Sequence, residues 1–253
     1  MKMYFAGIDI GSTAAKAVLM SEDKRGIIAK NLMPSGWNSR ETAEKLLSWL
    51  MSLGYSRDEI KIIATGYGRV SVPYADSTLT EITCHGKGAA FLGGDDLTVI
   101  DIGGQDTKVI IIKNSRVIDF VMNDKCSAGT GKFLEVMANR MGLTLPEFFA
   151  LAEHGKDIKI SSMCTVFAES EIVSLMGLGT PREDIACGAV GSVVSKVATL
   201  VSKKNSSGKY YLTGGFCESP LLIRKLSEAL GSEVFTTPDA RFAGAIGAAL
   251  LGK

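Results

Sequence analysis

The sequence predicts an α/β protein built as two similar lobes. Three observations predict it. Short apolar runs alternate with longer stretches of helical periodicity, the pattern of strands and helices packed in layers. Ile8-Asp9-Ile10-Gly11 recurs 92 residues later as Ile100-Asp101-Ile102-Gly103, and each copy has a lysine seven residues past its aspartate (Lys16, Lys108). The length, 253 residues, allows between one and two domains at about 150 residues each. Two copies of strand–Asp–Gly turn–strand imply two lobes whose turns face one cleft. The first lobe takes residues 1–94 with 239–253, and the second takes 95–238.

Each element follows in order. Tyr4–Ile10 and Lys16–Met20 read as strands around the first turn, and Gly26–Leu32 as a third. Ser39–Gly54 places Ala43, Leu46, Leu47, Leu50 and Met51 on one helical face. Glu59–Ala64 reads as a buried strand and Leu79–Leu92 as a helix. Leu97–Ile102, Lys108–Lys113 and Val117–Met122 repeat the strand trio. Helices are predicted over Gly131–Met141, Leu145–Glu153, Thr165–Met176, Arg182–Ser202 and Pro220–Leu230, with a short strand at Lys209–Leu212. Asp239–Leu251 closes the chain as an Ala-rich helix.

Composition narrows the function classes. With 28 Lys and Arg against 27 Asp and Glu, the net charge is +1. That balance argues against a nucleic-acid binder, which neutralises many phosphates. Met1-Lys2-Met3-Tyr4 runs straight into a strand-like segment without a signal-peptide pattern. No apolar run approaches the ~20 residues that span a bilayer; the best stretch is Ala243–Leu251. A cytoplasmic protein without membrane contact is expected. Glycine is abundant, at 28 residues, so many tight turns or close backbone approaches are needed.

The repeated turns carry the chemistry. Asp9-Ile10-Gly11-Ser12-Thr13 exposes successive backbone N–H groups, which form an anion-binding concavity. Ser12 and Thr13 add hydroxyls, Ala14 and Ala15 add only backbone, and Lys16 adds a positive charge. Asp9 repels phosphate, so its task is to hold Mg²⁺ through water. Asp101-Ile102-Gly103-Gly104-Gln105-Asp106 offers the same arrangement from the other lobe, with Asp101 as the second Mg²⁺ carboxylate. Gln105 is a neutral side chain able to orient an attacking water. In Tyr211-Leu212-Thr213-Gly214-Gly215, a strand ends on bare backbone against which adenine and ribose can rest.

These three segments, in this order, resemble the actin-like ATPase superfold shared by actin, sugar kinases and heat-shock chaperones. Asp9–Lys16 and Asp101–Lys108 look like its two phosphate motifs, and Leu212–Gly215 like its adenosine motif. The last helix, with Gly244 and Gly247 on one face, resembles the connecting helix of the interdomain hinge. The resemblance implies ATP or ADP as ligand. Gly131, Lys132 and Glu135 could reach the ribose or form an ordinary solvated helix face, and Arg241 would flank the base. Two other glycine patterns fail on the residues that carry their mechanism. Ser127-Ala128-Gly129-Thr130-Gly131-Lys132 lacks the first Gly and the Ser or Thr of a phosphate-binding P-loop. Gly66-Tyr67-Gly68-Arg69-Val70-Ser71 lacks the third Gly of a dinucleotide fingerprint.

Five cysteines, none in a CxxC pair, are reduced thiols, metal ligands or a mixture. Cys187 sits in an apolar helix, and Cys84 and Cys217 also read as small hydrophobes. Cys126 and Cys164 each precede a helix start. Free amides and the helix dipole there favour a thiolate, which suits an iron–sulfur ligand as well as a reactive thiol. One chain offers only two such cysteines; a two-fold dimer would offer four.

Asn123–Glu135, around Cys126, and Cys164-Thr165-Val166-Phe167-Ala168-Glu169-Ser170-Glu171 resemble the signatures of the activator (component A) of 2-hydroxyacyl-CoA dehydratases. Ala64-Thr65-Gly66-Tyr67-Gly68-Arg69 and Glu81-Ile82-Thr83-Cys84-His85 match the same pattern, so the likeness covers nearly the whole chain. It implies a homodimer with one [4Fe-4S] cluster held by Cys126 and Cys164 of both subunits. It also implies reduction by ferredoxin or flavodoxin, and ATP-driven electron transfer to a dehydratase component or a double-cubane cluster protein. The competing expectation is a small-molecule kinase of the same superfold with Asp101 as base. Its substrate domain would have only the Cys126–Gly177 region to occupy.

Overall fold

The computed structural model describes residues 2–160, 164–204 and 208–253. They form two compact units: Met1–Val99 with Ile110–Asp119 and Thr237–Lys253, and Ile100–Val109 with Phe120–Thr236. The first unit holds strands β1 (Tyr4–Ile10), β2 (Ala14–Met20), β3 (Ile27–Pro34), β4 (Ile60–Thr65) and β5 (Ser77–Thr78). Their order is β3-β2-β1-β4-β5. β1 runs antiparallel to β2 and parallel to β4.

Side-chain alternation decides what covers each face of this sheet. Ala15, Ala17 and Leu19 of β2 share a core with Ala43, Leu46 and Leu50 of helix α1 (Ser39–Ser52). Val18 and Met20 point the other way and pack with Ala245, Ile246 and Ala249 of α8 (Ala243–Leu251). Each buried Leu, Ile, Val or Met among them contributes roughly 1.5–3 kcal/mol, and the alanines let the helices lie close to the sheet. α8 lies directly on β1, where a side chain at Gly7 would collide with the backbone of Ala245. Helix α2 (Glu81–Gly93) crosses α8 just as closely: a Cβ on Gly88 would strike Ala243, and one on Gly247 would strike the Cys84 carbonyl.

The second sheet is built from β6 (Leu97–Ile102), β7 (Thr107–Lys113), β8 (Arg116–Asn123), β9 (Tyr210–Gly214) and β10 (Val234–Phe235). Its order, β10-β9-β6-β7-β8, repeats that of the first sheet with every index raised by five. The duplicated motif is therefore a duplicated sheet, and the protein has the two-lobed actin-like fold. The first lobe spends one crossover helix, α1, between its third and fourth strands. Among the described residues the second spends four: α3 (Gly131–Arg140), α4 (Leu145–Ala152), α5 (Thr165–Gly177) and α6 (Arg182–Ser202). α7 (Pro220–Leu230) follows β9; it is capped by the Ser219 side chain and ends on Gly231 at φ 62°.

α6 is the longest apolar helix, with 21 residues and a hydropathy of 1.6 over its most apolar window. The sequence predicts Ala243–Leu251 as the best apolar stretch, whereas α6 is longer and carries Arg182, Glu183, Asp184 and Lys196. α6 is the candidate by length. It is long enough to cross a membrane, yet 61% of that window is buried, and it packs against α3, α4, α5 and α7. The two-residue strands β5 and β10 were too short to leave a periodic signal.

Candidate functional site

In the first lobe, Asp9 is the second-last residue of β1, in register with Lys16 of β2. The turn between them closes through Gly11 N donating to Ala14 O at 3.2 Å. Ser35 braces it from outside, its hydroxyl donating to Gly11 O at 2.6 Å and its amide to Thr13 O at 3.0 Å. Ser12 and Thr13 stand exposed at the tip, while Ala15 is buried and contributes only backbone. The Asp9 carboxylate is 6% exposed and lies between two glycines, Gly66 after β4 and Gly244 of α8. A side chain at either would collide with it. Gly66 has φ 84°, which glycine adopts freely. Asp9 Oδ1 is buried without a hydrogen-bond partner, which is costly for a carboxylate oxygen. That orphaned oxygen fits a hydrated divalent cation. Lys16 Nζ forms no ion pair among the described residues, and its head hangs over Gly11.

The second turn copies this backbone but not its electrostatics. Gly103 N donates to Asp106 O at 2.9 Å, as Gly11 does to Ala14. Where the first copy has Ala14, the second has Asp106, and Lys108 turns inward to meet it at 2.7 Å. The same ammonium lies 3.4 Å from Asp101 Oδ2, and Thr213 donates its hydroxyl to Asp101 Oδ1 at 3.1 Å. Lys108 is 1% exposed. Sequence reasoning expected the two copies to act alike; here one lysine is available to an anion and the other is a buried counter-ion for two carboxylates. Gln105 is exposed at the tip of the turn.

The segment after β9 meets this turn. Gly214, at φ 95°, lies against Ile102 O and Asp101, and Gly215 faces open space. Gly131, the first residue of α3, contacts both Gly103 O and Phe216, and a Cβ there would sit 2.8 Å from the Phe216 ring. Lys132 and Glu135 pair with each other at 3.1 Å on the exposed first turn of α3. Arg241 belongs to the first unit, in a single 3₁₀ turn, Ala240–Phe242, that leads into α8.

Cys126 and Cys164 are exposed, whereas Cys84, Cys187 and Cys217 are buried. Cys164 caps the N-terminus of α5, as expected. Cys126 does not sit on a helix start: α3 begins at Gly131, because Gly129 takes φ 84° and Thr130 becomes the cap. The two cysteine segments are nonetheless joined. Ser127 Oγ and Thr165 Oγ1, each on the residue after a cysteine, are 2.7 Å apart. Arg140 of α3 donates to Glu169 of α5 at 2.8 Å one level below. Among the described residues no group of three or more His, Cys, Asp or Glu side chains gathers to hold a metal. The two thiols therefore fit half of a four-ligand site and not a whole one.

The sequence profile of the BadF/BadG/BcrA/BcrD ATPase family matches residues 6–252. The (R)-2-hydroxyglutaryl-CoA dehydratase activating ATPase of Acidaminococcus fermentans is 41% identical over 253 residues, covering 99% of this chain and 97% of that one. The chain belongs to the BadF/BadG/BcrA/BcrD ATPase family. The crystal structure of the A. fermentans component A superposes with a TM-score of 0.93 at 40% identity over 99% of this chain and 97% of that one. The activator of 2-hydroxyisocaproyl-CoA dehydratase from Clostridium difficile with bound ADPNP gives a TM-score of 0.92 at 36% identity, over 99% and 94%. A ROK family glucokinase at 15% identity and a TM-score of 0.62, covering 98% and 99%, shares the fold alone.

This family ATPase also contains groups to which the motif reading gave no such positioning role. Thr107, Lys108, Thr213, Ser127 and Thr165 hold the turns and the cysteine loops in place. The register of Lys108 within the repeat was visible in sequence, and so was the exchange of Ala14 for Asp106. The hydroxyl contacts join residues far apart in the chain and left no sequence signal.

Proposed function

We propose that this ATPase is a homodimeric, ATP-driven reductase that passes single low-potential electrons to an iron–sulfur partner. That partner would be a 2-hydroxyacyl-CoA dehydratase component or a double-cubane cluster protein, and ferredoxin or flavodoxin would be the donor. The Ser127–Thr165 contact carries the reading: it ties two exposed cysteine segments together in a chain whose named relatives activate dehydratases. Cys126 and Cys164 of each subunit would hold one [4Fe-4S] cluster between them. When bound, such a cluster supplies a one-electron centre tuned by its hydrogen bonds and exposure.

The remaining roles fall to the turns. Asp9 would hold Mg²⁺ through water by its unpartnered oxygen. The amides of Gly11–Ala15 and the Lys16 ammonium would take phosphate oxygens, and the second turn would add Gly103, Gly104 and Asp106 as nucleotide contacts. Asp101, engaged by Lys108 and Thr213, would hold its metal-side water more weakly than Asp9. Gln105 would orient the attacking water. Gly131, Glu135, Gly214 and Gly215 would border the nucleoside, with Arg241 beside the base.

Anaerobically purified protein tests the proposal. Two equivalents of chain should carry four irons and sediment as a dimer, and Cys126→Ser or Cys164→Ser should lose the iron while still binding ADP. A full iron complement in either variant, or an iron-free monomer that hydrolyses ATP normally, overturns it.

A further inference from the structure

The second glycine turn and the Cys126 loop are bonded to each other at three points. Gly131 N donates to Gly103 O at 2.9 Å, and Lys132 N to Gly104 O at 2.8 Å. Thr107, directly after the turn and 1% exposed, donates its hydroxyl to Gly129 O at 2.6 Å. The first amides of α3 are thus spent on the turn's carbonyls. The loop is also closed on itself: the Asn123 side-chain amide donates to both Cys126 O and Ala128 O at 2.9 Å. Gly129 leaves no slack, since its missing side chain is replaced by the stem of Lys196. A displacement of Gly103 or Gly104 therefore reaches the Cys126 loop through hydrogen bonds.

We propose that the turn and the loop move as one body, and that the Thr107 hydroxyl is the positioning group that transmits nucleotide occupancy at Gly103–Gln105 to Cys126. This rests on the reading of the second turn as a nucleotide contact. Coupling of this kind is reciprocal in binding free energy, so a group placed on Cys126 must in turn alter nucleotide affinity.

The test uses iron-free full-length protein, with iodoacetamide as the probe and mass spectrometry to count adducts at Cys126. Alkylation is timed without nucleotide, with ADP and with a non-hydrolysable ATP analogue, and ADP affinity is measured alongside. The wild-type rate should differ between nucleotide states by about fivefold or more. Thr107→Val should bring the ratio near one while ADP still binds, and Thr107→Ser, which keeps the hydroxyl, should restore it. A wild-type ratio in Thr107→Val overturns the proposal, as does a wild-type protein that binds ADP with no change at Cys126. Protein that binds no nucleotide at all fails at the functional reading itself, and the coupling fails with it. Should Thr107→Val not fold, wild-type hydrogen exchange decides: peptides covering 103–106 and 126–132 must gain protection together on adding ADP. Protection of the first without the second rejects the single body.

Discussion

Ser127 Oγ lies 2.7 Å from Thr165 Oγ1, and each residue follows an exposed cysteine. The contact is made by neutral hydroxyls, so it holds the two segments together whether or not the thiols are ionised. Groups one shell removed from a metal orient its ligands, and losing them commonly costs 10–100-fold in affinity. Ser127→Ala and Thr165→Val should each release iron to a chelator about tenfold faster than wild type, at unchanged ADP affinity. Chelator kinetics followed by visible absorbance check this; an unchanged rate removes the hydroxyl pair from the assembly of the site.

The two motif lysines predict opposite phenotypes. Lys108→Met leaves Asp101 and Asp106 without their shared buried cation, and breaking a buried pair costs about 3 kcal/mol or more. Adding Asp106→Asn should recover part of that loss. Lys16→Met breaks no ion pair, so stability should stay within about 0.5 kcal/mol while ADP affinity falls. Urea midpoints and calorimetric titration separate the two outcomes. Equal destabilisation by both would refute the asymmetry.

Thiol reactivity should sort by burial. In native iron-free protein only Cys126 and Cys164 should alkylate readily; all five cysteines should react once the chain is unfolded. Burial raises the Cys84 thiol from 9.0 to about 11, and it raises Cys187 as well. The folded state therefore keeps the Cys84 proton longer than the unfolded state does. Stability is unaffected by this group below about pH 9 and declines from there to about pH 11. Urea midpoints across that window measure the slope, which Cys84→Ala should flatten.

The crossing of α2 and α8 should tolerate no side chain. Gly247→Ala drives a methyl into the Cys84 carbonyl and should cost more than about 3 kcal/mol, as overpacking against backbone has no rotamer to relieve it. Gly177→Ala, in α5 with open space around it, should stabilise by about 0.5–1 kcal/mol. Thermal melts of the two variants compare directly.

Much of the fold was legible because its signals are local. β1, β6, α6 and α7 begin and end where apolar periodicity, proline and glycine placed them. The repeat of Asp, Gly and Lys announced the duplicated sheet. What stayed hidden depends on the third dimension. α3 starts at Gly131, as the sequence predicts, but Cys126 does not lie at that start, because Ser127–Thr130 stands between them with Gly129 at φ 84°. The Gly66–Tyr67–Gly68 pattern failed as a nucleotide fingerprint, yet Gly66 proved to be a close neighbour of Asp9. The contrast between Lys16 and Lys108 was written at positions 14 and 106, but its meaning appeared only with the direction each ammonium takes.

The seating of α8 against β1 has a consequence for synthesis. β1 is translated long before α8, so part of one face of the first sheet stays bare until α8 has been made. Val18 and Met20 remain open to water and to other nascent chains through that interval, the circumstance in which long-range topologies fold slowly and aggregate. Removing α8 would strip that face permanently, so a nine-residue helix guards the solubility of the whole first sheet.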